Sequence, residues 1–396
     1  MATQELPHDV GGGRASLLND PKVRGIFFQI IVVIALTALV YWIIGNTVEN
    51  LRRANISSGF GFLGGRAGFD LSDTPIQFDS DSTYSRALLV GLLNTVIVAA
   101  AGIVTATILG FLIGVGRLSN NWLIRKICTV YVELFRNIPP LLVIFFWYFG
   151  VLSVLPLPRE SIELPFGSYL NSRGFYFPRA VWGEGAWLVP VALLLGIAMS
   201  IFVARTARQR QMATGQTFPV AWTSLALIVG LPLLAMAAMG FPLSFDFPQK
   251  STFNLTGGFQ VKPEFLSLYL ALSFYTASFI AEIVRAGIRG VNRGQSEAAF
   301  ALGLRSGPTL RQVVIPQALR IVIPPLTSQY LNLTKNSSLA IAIGYPDLVA
   351  VGGTVLNQTG QAIEIVLIWM VVYLGLSLIT SAFMNWFNAK MALVER

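Results

Sequence analysis

The sequence predicts an all-α polytopic membrane protein with about eight transmembrane helices, and three observations carry that prediction. Hydrophobic residues fill 54% of the 396 positions and charged residues only 12%, whereas a soluble domain carries about 25% charge. The mean hydropathy is +0.65. Apolar runs of about 20 residues, enough for a helix to cross a hydrocarbon core of roughly 30 Å, recur along the chain.

The elements follow in order. Met1–Asp20 is polar and Gly-rich and reads as a tail. The run Ile26–Ile44 lies too far in and is too long for a signal peptide's apolar region of roughly 7–15 residues, so it is expected to stay as an anchor. Further spans are expected at Ala87–Val115, Ile138–Leu155, Trp187–Ala204, Pro219–Met239, Phe265–Ile288 and Ile363–Trp386. The eighth, Ala318–Ile343, is interrupted by Pro324, Pro325 and the polar run Asn332–Ser338. It still counts, because irregular backbone is tolerated at membrane depth where protein or a cavity covers it. Trp147, Tyr148, Trp182, Trp187 and Trp386 fall at span ends and read as interfacial anchors.

Charge placement sets the orientation. With membrane-embedded charges such as Arg136 set aside, the tail, 116–137, 205–218, 285–320 and the C-terminus hold 17 Lys/Arg against 5 acidic residues. The intervening loops hold 9 against 11. Lys and Arg stay inside, so both termini are expected in the cytoplasm. Three outer loops, Asn46–Arg86, Pro156–Ala186 and Gly240–Glu264, are rich in Gly, Pro, Ser and Asp. They lack the apolar periodicity of a sizeable soluble domain.

The inventory excludes several classes. One cysteine, Cys128, and one histidine, His8, rule out a disulfide framework, a Cys/His metal site and His-dependent nucleophilic catalysis. The net charge of +9 belongs to the loops that set topology, so a lipid bilayer and no nucleic acid is the expected partner. An intramembrane enzyme lacks paired aspartates, and a channel lacks a filter or a ring of like charge. An ion-coupled secondary transporter remains the alternative, although no internal repeat is evident.

One inner segment is organised for contact with another protein. It reads from Gly294 through Glu297-Ala298-Ala299-Phe300-Ala301-Leu302 to Gly303 and Arg305. Ser296 or Asn292 can N-cap a short helix, Glu297 suits its first turn and the alanines favour helix. Gly303 is expected to end it, in a left-handed cap or a close backbone approach. Pro308 opens a second stretch, Thr309–Val314, expected to stop at Pro316. A short capped helix of this kind suits a groove on a partner; the alternative is a plain amphipathic connector.

The spacing Glu297-Ala298-Ala299, three residues, Gly303, nine residues, then Val313-Val314-Ile315-Pro316 resembles the EAA loop of ABC importer permeases. The resemblance extends through Pro316-Gln317-Ala318-Leu319-Arg320, Pro324-Pro325 and Lys335-Asn336-Ser337-Ser338-Leu339. Glu133–Leu142 and Ala281–Ile288 resemble two further signatures of the polar amino-acid (histidine/glutamine/glutamate-type) permeases, most like a permease subunit of a general L-amino-acid importer. This resemblance implies a type I ABC importer permease core at 85–155 and 265–390, with the coupling loop at 290–317. It makes 1–24 a cytoplasmic tail, 25–84 an extra N-terminal span with its outer loop, and 156–264 an inserted block with two spans. It also implies a bacterial inner-membrane location, a second permease chain, related or identical, two ABC ATPase subunits and a periplasmic amino-acid-binding protein. Glu297, Ala298, Ala299, Gly303 and Pro316 would link to the ATPase. The chain has no G-x-x-x-x-G-K-[ST] loop, so ATP and Mg belong to the ATPase and no cofactor is expected in this chain.

Polar groups at membrane depth mark the candidate pathway. Glu282 with Arg285, and Glu133 with Arg136, have the i, i+3 spacing of pairs within one helix. Glu364 lies at the outer edge of the last span, where it can snorkel. Asn332, Lys335, Asn336 and Ser337 cluster beside the prolines and offer donors and acceptors for an amino-acid zwitterion; the alternative is helix–helix glue. Tyr275 and Thr276 are expected to line the same cavity. The family often carries an acid where Asn336 stands, which favours a broad or neutral preference.

Overall fold

The computed structural model describes residues 21–53, 58–251 and 254–391. The expectations for Met1–Asp20, His8 and residues 392–396 lie outside the described residues. Six described helices are long and apolar enough to cross a membrane, and the number reaches eight when each of two bent helix pairs is counted as one span. The six are α1 (Pro21–Arg53), α2 (Tyr84–Gly116), α5 (Leu188–Thr214), α6 (Val220–Ala238), α7 (Pro263–Arg289) and α12 (Ala362–Met391).

The third and seventh spans differ from the sequence expectation. Residues 116–137, expected as a connector, hold the amphipathic helix α3 (Trp122–Arg136), capped by Asn121, whose side chain accepts the Leu123 amide at 2.9 Å. The chain breaks at Pro139, then α4 (Pro140–Phe145) and a wide π turn (Phe146–Leu152) leave at 111° to α3. Pro139 and Pro140 supply no amide hydrogens, and Pro139 turns extended at ψ 141°, which ends the helical path of α3 at this point.

The seventh span departs in the opposite sense. Helix α10 (Ile315–Asn336) continues without a break through Pro324 and Pro325, and a 3-10 turn (Ser337–Ile343) follows it. Hydroxyls near its end serve carbonyls: Thr334 donates to Tyr330 at 2.9 Å, Ser337 to Thr334 and Ser338 to Lys335, each at 2.7 Å. Gly344, at φ +77°, ends the turn, and α11 (Leu348–Thr359) leaves at 52° to the preceding segment.

The centre is the pairing of α2 with α7. Gly102 abuts Ser273, Gly110 abuts Ala277 and Ile280, and Gly114 abuts Ala281 and Val284, so the two helices run parallel. Gly102, Ala106, Gly110 and Gly114 recur every fourth residue, all buried. A Cβ on Gly110 would lie 2.5 Å from the Ile280 side chain. Such close backbone approach is how helices associate where lipid removes the hydrophobic drive between them. Leu268, Leu272, Ile323 and Leu333 complete the fully buried core around this seam.

A small β-layer caps the end where α2 and α7 begin. It arises from the stretches flanking α5 and α6, read from the sequence as loops. Strands β1 (Ile162–Leu164), β2 (Ser168–Asn171), β3 (Gly174–Phe177) and β8 (Phe259–Val261) form one antiparallel sheet in the order β1-β2-β3-β8. Strands β4 (Arg179–Trp182) and β5 (Leu243–Asp246) pair separately, as do β6 (Gln249–Lys250) and β7 (Leu255–Thr256). The α5–α6 hairpin hangs from β4 and β5 and packs tightly on itself at Gly196, where a Cβ would meet the Leu227 carbonyl at 2.5 Å.

Three side chains correct their expected settings. Glu364 does not snorkel: it is buried and accepts the Gly59 amide at 2.5 Å, tying α12 to the loop before α2. Trp147 and Tyr148 turn inward. The Trp147 ring lies 5.5 Å from that of Phe274, and the Tyr148 hydroxyl donates to Glu264 at 3.2 Å.

Candidate functional site

A cavity of about 280 Å³ opens between α7 and α10, lined by Pro140, Tyr275, Thr276, Phe279, Gln329, Asn332 and Asn336. Helical spacing assembles it. Tyr275 and Phe279 are one turn apart on α7, their rings 5.0 Å apart. Gln329, Asn332 and Asn336 follow at i, i+3 and i+7, one stripe of α10. Pro140 closes the side where α4 begins.

The lining carries no formal charge. It presents three carboxamides and two hydroxyls, and none of the three amide side chains is hydrogen-bonded to another described residue. Each amide offers a carbonyl acceptor and two N–H donors. The cavity therefore holds unspent hydrogen-bonding capacity of both senses, beside an aromatic wall.

Four of the six pathway residues singled out in the sequence thus meet in one cavity. The other two lie elsewhere. Ser337 is fully buried and donates to the Thr334 carbonyl, and Lys335 is exposed outside the lining. Sequence reasoning missed Phe279, whose apolar ring reads as core, and Gln329, although its spacing from Asn332 and Asn336 marks it as sharing their face.

Beyond Phe279 lies a cluster of charge. Glu282 accepts from Arg117, at the end of α2, and from Arg285 on its own helix. Arg136 stands 3.9 Å from the same carboxylate and 5.7 Å from the centre of the Phe279 ring. Glu133 lies 3.8 Å from Arg117. The expected pair within α3 is replaced by a network joining α2, α3 and α7, because Glu133 and Arg136 each reach across to another helix.

The second candidate segment is α8 (Arg293–Ala301), at the opposite end of α7 from the β-layer. Asn292, not Ser296, is its cap, accepting the Gly294 amide at 2.9 Å, so Glu297 sits mid-helix rather than in the first turn. Gly303, at φ +77°, closes the helix. Its amide bonds Phe300 at 2.9 Å and the next amide, Leu304, bonds Ala299 at 3.1 Å. This double bond pattern favours glycine because it needs a left-handed residue. Ala299 faces the protein, while Glu297, Ala298, Phe300 and Leu302 point outward, Leu302 being 82% exposed. Pro316 does not stop the following helix. A short α9 (Ser306–Thr309) and a π turn at Leu310–Val314 lead into α10, in which Pro316 sits near the start, where a missing amide hydrogen costs least.

Comparison with known proteins places these features in context. The family described as "binding-protein-dependent transport system inner membrane component" matches residues 209–393. The general L-amino acid transport system permease protein AapQ of Rhizobium johnstonii is 67% identical over 389 residues, covering 98% of this chain and 97% of that one. The putative amino-acid ABC transporter permease protein YhdX of Escherichia coli K12 is 51% identical over 388 residues, covering 97% and 98%. The glutamate/glutamine/aspartate/asparagine transport system permease protein BztB of Rhodobacter capsulatus is 43% identical, with both chains covered in full.

Proposed function

The chain belongs to the amino-acid ABC transporter permeases, inner-membrane components of binding-protein-dependent transport, and from that premise we propose that the cavity between α7 and α10 holds the amino acid in transit. Membership favours the ABC importer over an ion-coupled carrier. As a permease it is a transporter, not an enzyme.

The observation that carries the proposal is the convergence of Gln329, Asn332 and Asn336 with Tyr275 and Thr276 on one cavity. Carboxamide N–H groups and hydroxyls satisfy a carboxylate, and the carboxamide carbonyls satisfy an ammonium. Without a charged group in the lining, substrates of either side-chain charge meet no strong attraction or repulsion, which supports uptake of neutral, polar or many kinds of L-amino acid. The glue alternative loses support because the three amides bond to no neighbouring helix.

The remaining assignments complete this reading. The Lys/Arg bias supports a cytoplasmic setting for α8 and both termini, with the β-layer outside. A second permease chain completes the pathway, and two ATPase subunits supply ATP and Mg. A periplasmic binding protein delivers the amino acid. Helix α8 docks in a groove of the ATPase through Glu297, Ala298, Phe300 and Leu302, with Gly303 holding its end and Pro316 beginning the return into the bilayer.

The test is uptake by the complete transporter, co-expressed with its neighbouring genes and reconstituted, with Asn332→Leu and Asn336→Leu. Both substitutions keep the side-chain size and delete the hydrogen bonds. A raised KM for glutamine at unchanged membrane abundance is expected; an unchanged KM in both variants refutes the assignment.

A further inference from the structure

A second cavity, of about 580 Å³, opens at the β-layer end, within the range of roughly 300–1,000 Å³ typical of small-molecule sites. The loop before α2 supplies Asp73, β8 and the residue after it supply Phe259 and Lys262, and α2 and α7 supply Ile97 and Phe265. Asp73 and Lys262 stand 3.8 Å apart, their side chains 24% and 29% exposed. That separation is too long for a hydrogen bond. Lys262 donates to the Ser72 carbonyl and keeps two donors in hand. The Asp73 Oδ1 atom accepts no hydrogen bond from a described residue. Burial holds the Asp73 carboxyl above the usual carboxylate range, Lys262 pulls it back, and Glu264 adds a like charge. Lys262 is the cation the structure sets beside this carboxylate, whose other oxygen, Oδ2, accepts from the Ser72 hydroxyl at 3.4 Å.

We infer that this cavity is an outer-face binding site for a free amino-acid zwitterion, its ammonium on Asp73, its carboxylate on Lys262 and its side chain against Phe259, Phe265 and Ile97. A zwitterion carries its opposite charges on one small unit, so a single molecule can bridge a loosely made ion pair. The site rests on the amino-acid reading above and adds a station before the α7–α10 cavity. Phe265 and Thr276 lie eleven residues apart, three turns along one side of α7 and about 16 Å. An amino acid released at the outer face is held here until the inner cavity opens to it.

The test uses photo-leucine, a diazirine analogue of leucine, on the assembled transporter without binding protein, followed by peptide mapping of the labelled sites. Labelling is expected on residues 69–78 or 259–269 as well as on 275–336. Leucine should compete for the outer site, whereas isopentylamine and 4-methylpentanoate, each with one of the two charges, should not. Asp73→Asn and Lys262→Gln should each lower outer labelling about tenfold, the worth of a charge-assisted hydrogen bond, and leave inner labelling intact. Ile97→Trp fills the cavity without touching the ion pair and should do the same, so it decides the matter if the charge variants fail to assemble. Absent outer labelling, or outer labelling unchanged by these variants, overturns the site. Outer labelling without inner labelling supports this site while removing the α7–α10 assignment.

Discussion

The Arg117 guanidinium, just past the last turn of α2, donates to the Glu282 carboxylate on α7, which also accepts from Arg285 at 3.2 Å. The Arg117 side chain is only 9% exposed. Glu282 is therefore the anion shared by three neighbouring arginines, one turn beyond the Phe279 wall of the candidate cavity, with Glu133 as a second carboxylate beside Arg117. Glu282→Gln keeps the shape and removes the charge, leaving the buried Arg117 with Glu133, at 3.8 Å, as its remaining carboxylate partner. A loss of about 1–3 kcal/mol is expected, below the full cost of breaking a buried pair because Glu282 is partly exposed. Thermal denaturation of the purified complex measures it, and Glu282→Asp should fall between the two.

Asn336→Asp places a carboxylate in a cavity that otherwise holds no formal charge. Competitive uptake of arginine against glutamate should shift toward arginine by roughly tenfold or more. Lys335 lies outside the lining, so it should mute this little, and Asn336→Asp combined with Lys335→Gln should give nearly the same ratio. Equal ratios in wild type and both variants would return the Asn336 side chain to a structural role.

Gly303→Leu forces a side chain into the left-handed region. No atom lies within 4 Å of the position where its Cβ would stand, so the cost is conformational, about 1–2 kcal/mol, and local to the end of α8. Membrane abundance should hold while ATPase co-purification and uptake fall. Asn, which tolerates this backbone region better than Leu, should retain a larger share of both.

Gly110→Ala tests the parallel α2–α7 seam. Its new methyl group would collide with Ile280, with an expected cost of about 1–3 kcal/mol. Valine would keep the clashing Cβ and Cγ2 atoms of Ile280, so the check is a cycle with Ile280→Gly: in that background Gly110→Ala should cost less than in wild type if the clash is the cause. Gly215→Ala, at the exposed end of α5, has no packing neighbour within 4 Å and should leave this seam intact.

Most of the fold was legible because membrane crossing depends on the length of apolar runs, which the sequence displays directly. The broken third span was harder. The short apolar block Trp122-Leu123-Ile124 is followed at once by Arg125 and Lys126, so α3 resembles a charged connector although it is a regular helix. The β-layer was hidden because strands of two to four residues are too short to show alternation, and β3 and β8 meet only after the intervening α5–α6 hairpin. Half of the cavity was visible as polar residues in an apolar setting. Of its aromatic wall Tyr275 was visible and Phe279 was not, since Phe279 has no local mark separating it from the core. The partnership of Glu282 with Arg117 was beyond reach, because 165 residues separate them and helical spacing offers only Arg285.

The attachment of α5 and α6 has a consequence for how such a chain changes length. Both helices leave the body through β4 and β5, whose ladder sets Trp182 directly opposite Leu243. The two ends of the hairpin are thus already held side by side, about 5 Å apart as paired strand residues are. Excising residues 183–242 and closing the gap with Asn-Gly, which forms a tight two-residue reversal, would leave β4 and β5 in register. It would also return the chain to the same face of the bilayer, since two crossings leave together. The hairpin is in this sense a detachable cassette, gained or lost in one step without re-threading the helices around α2 and α7.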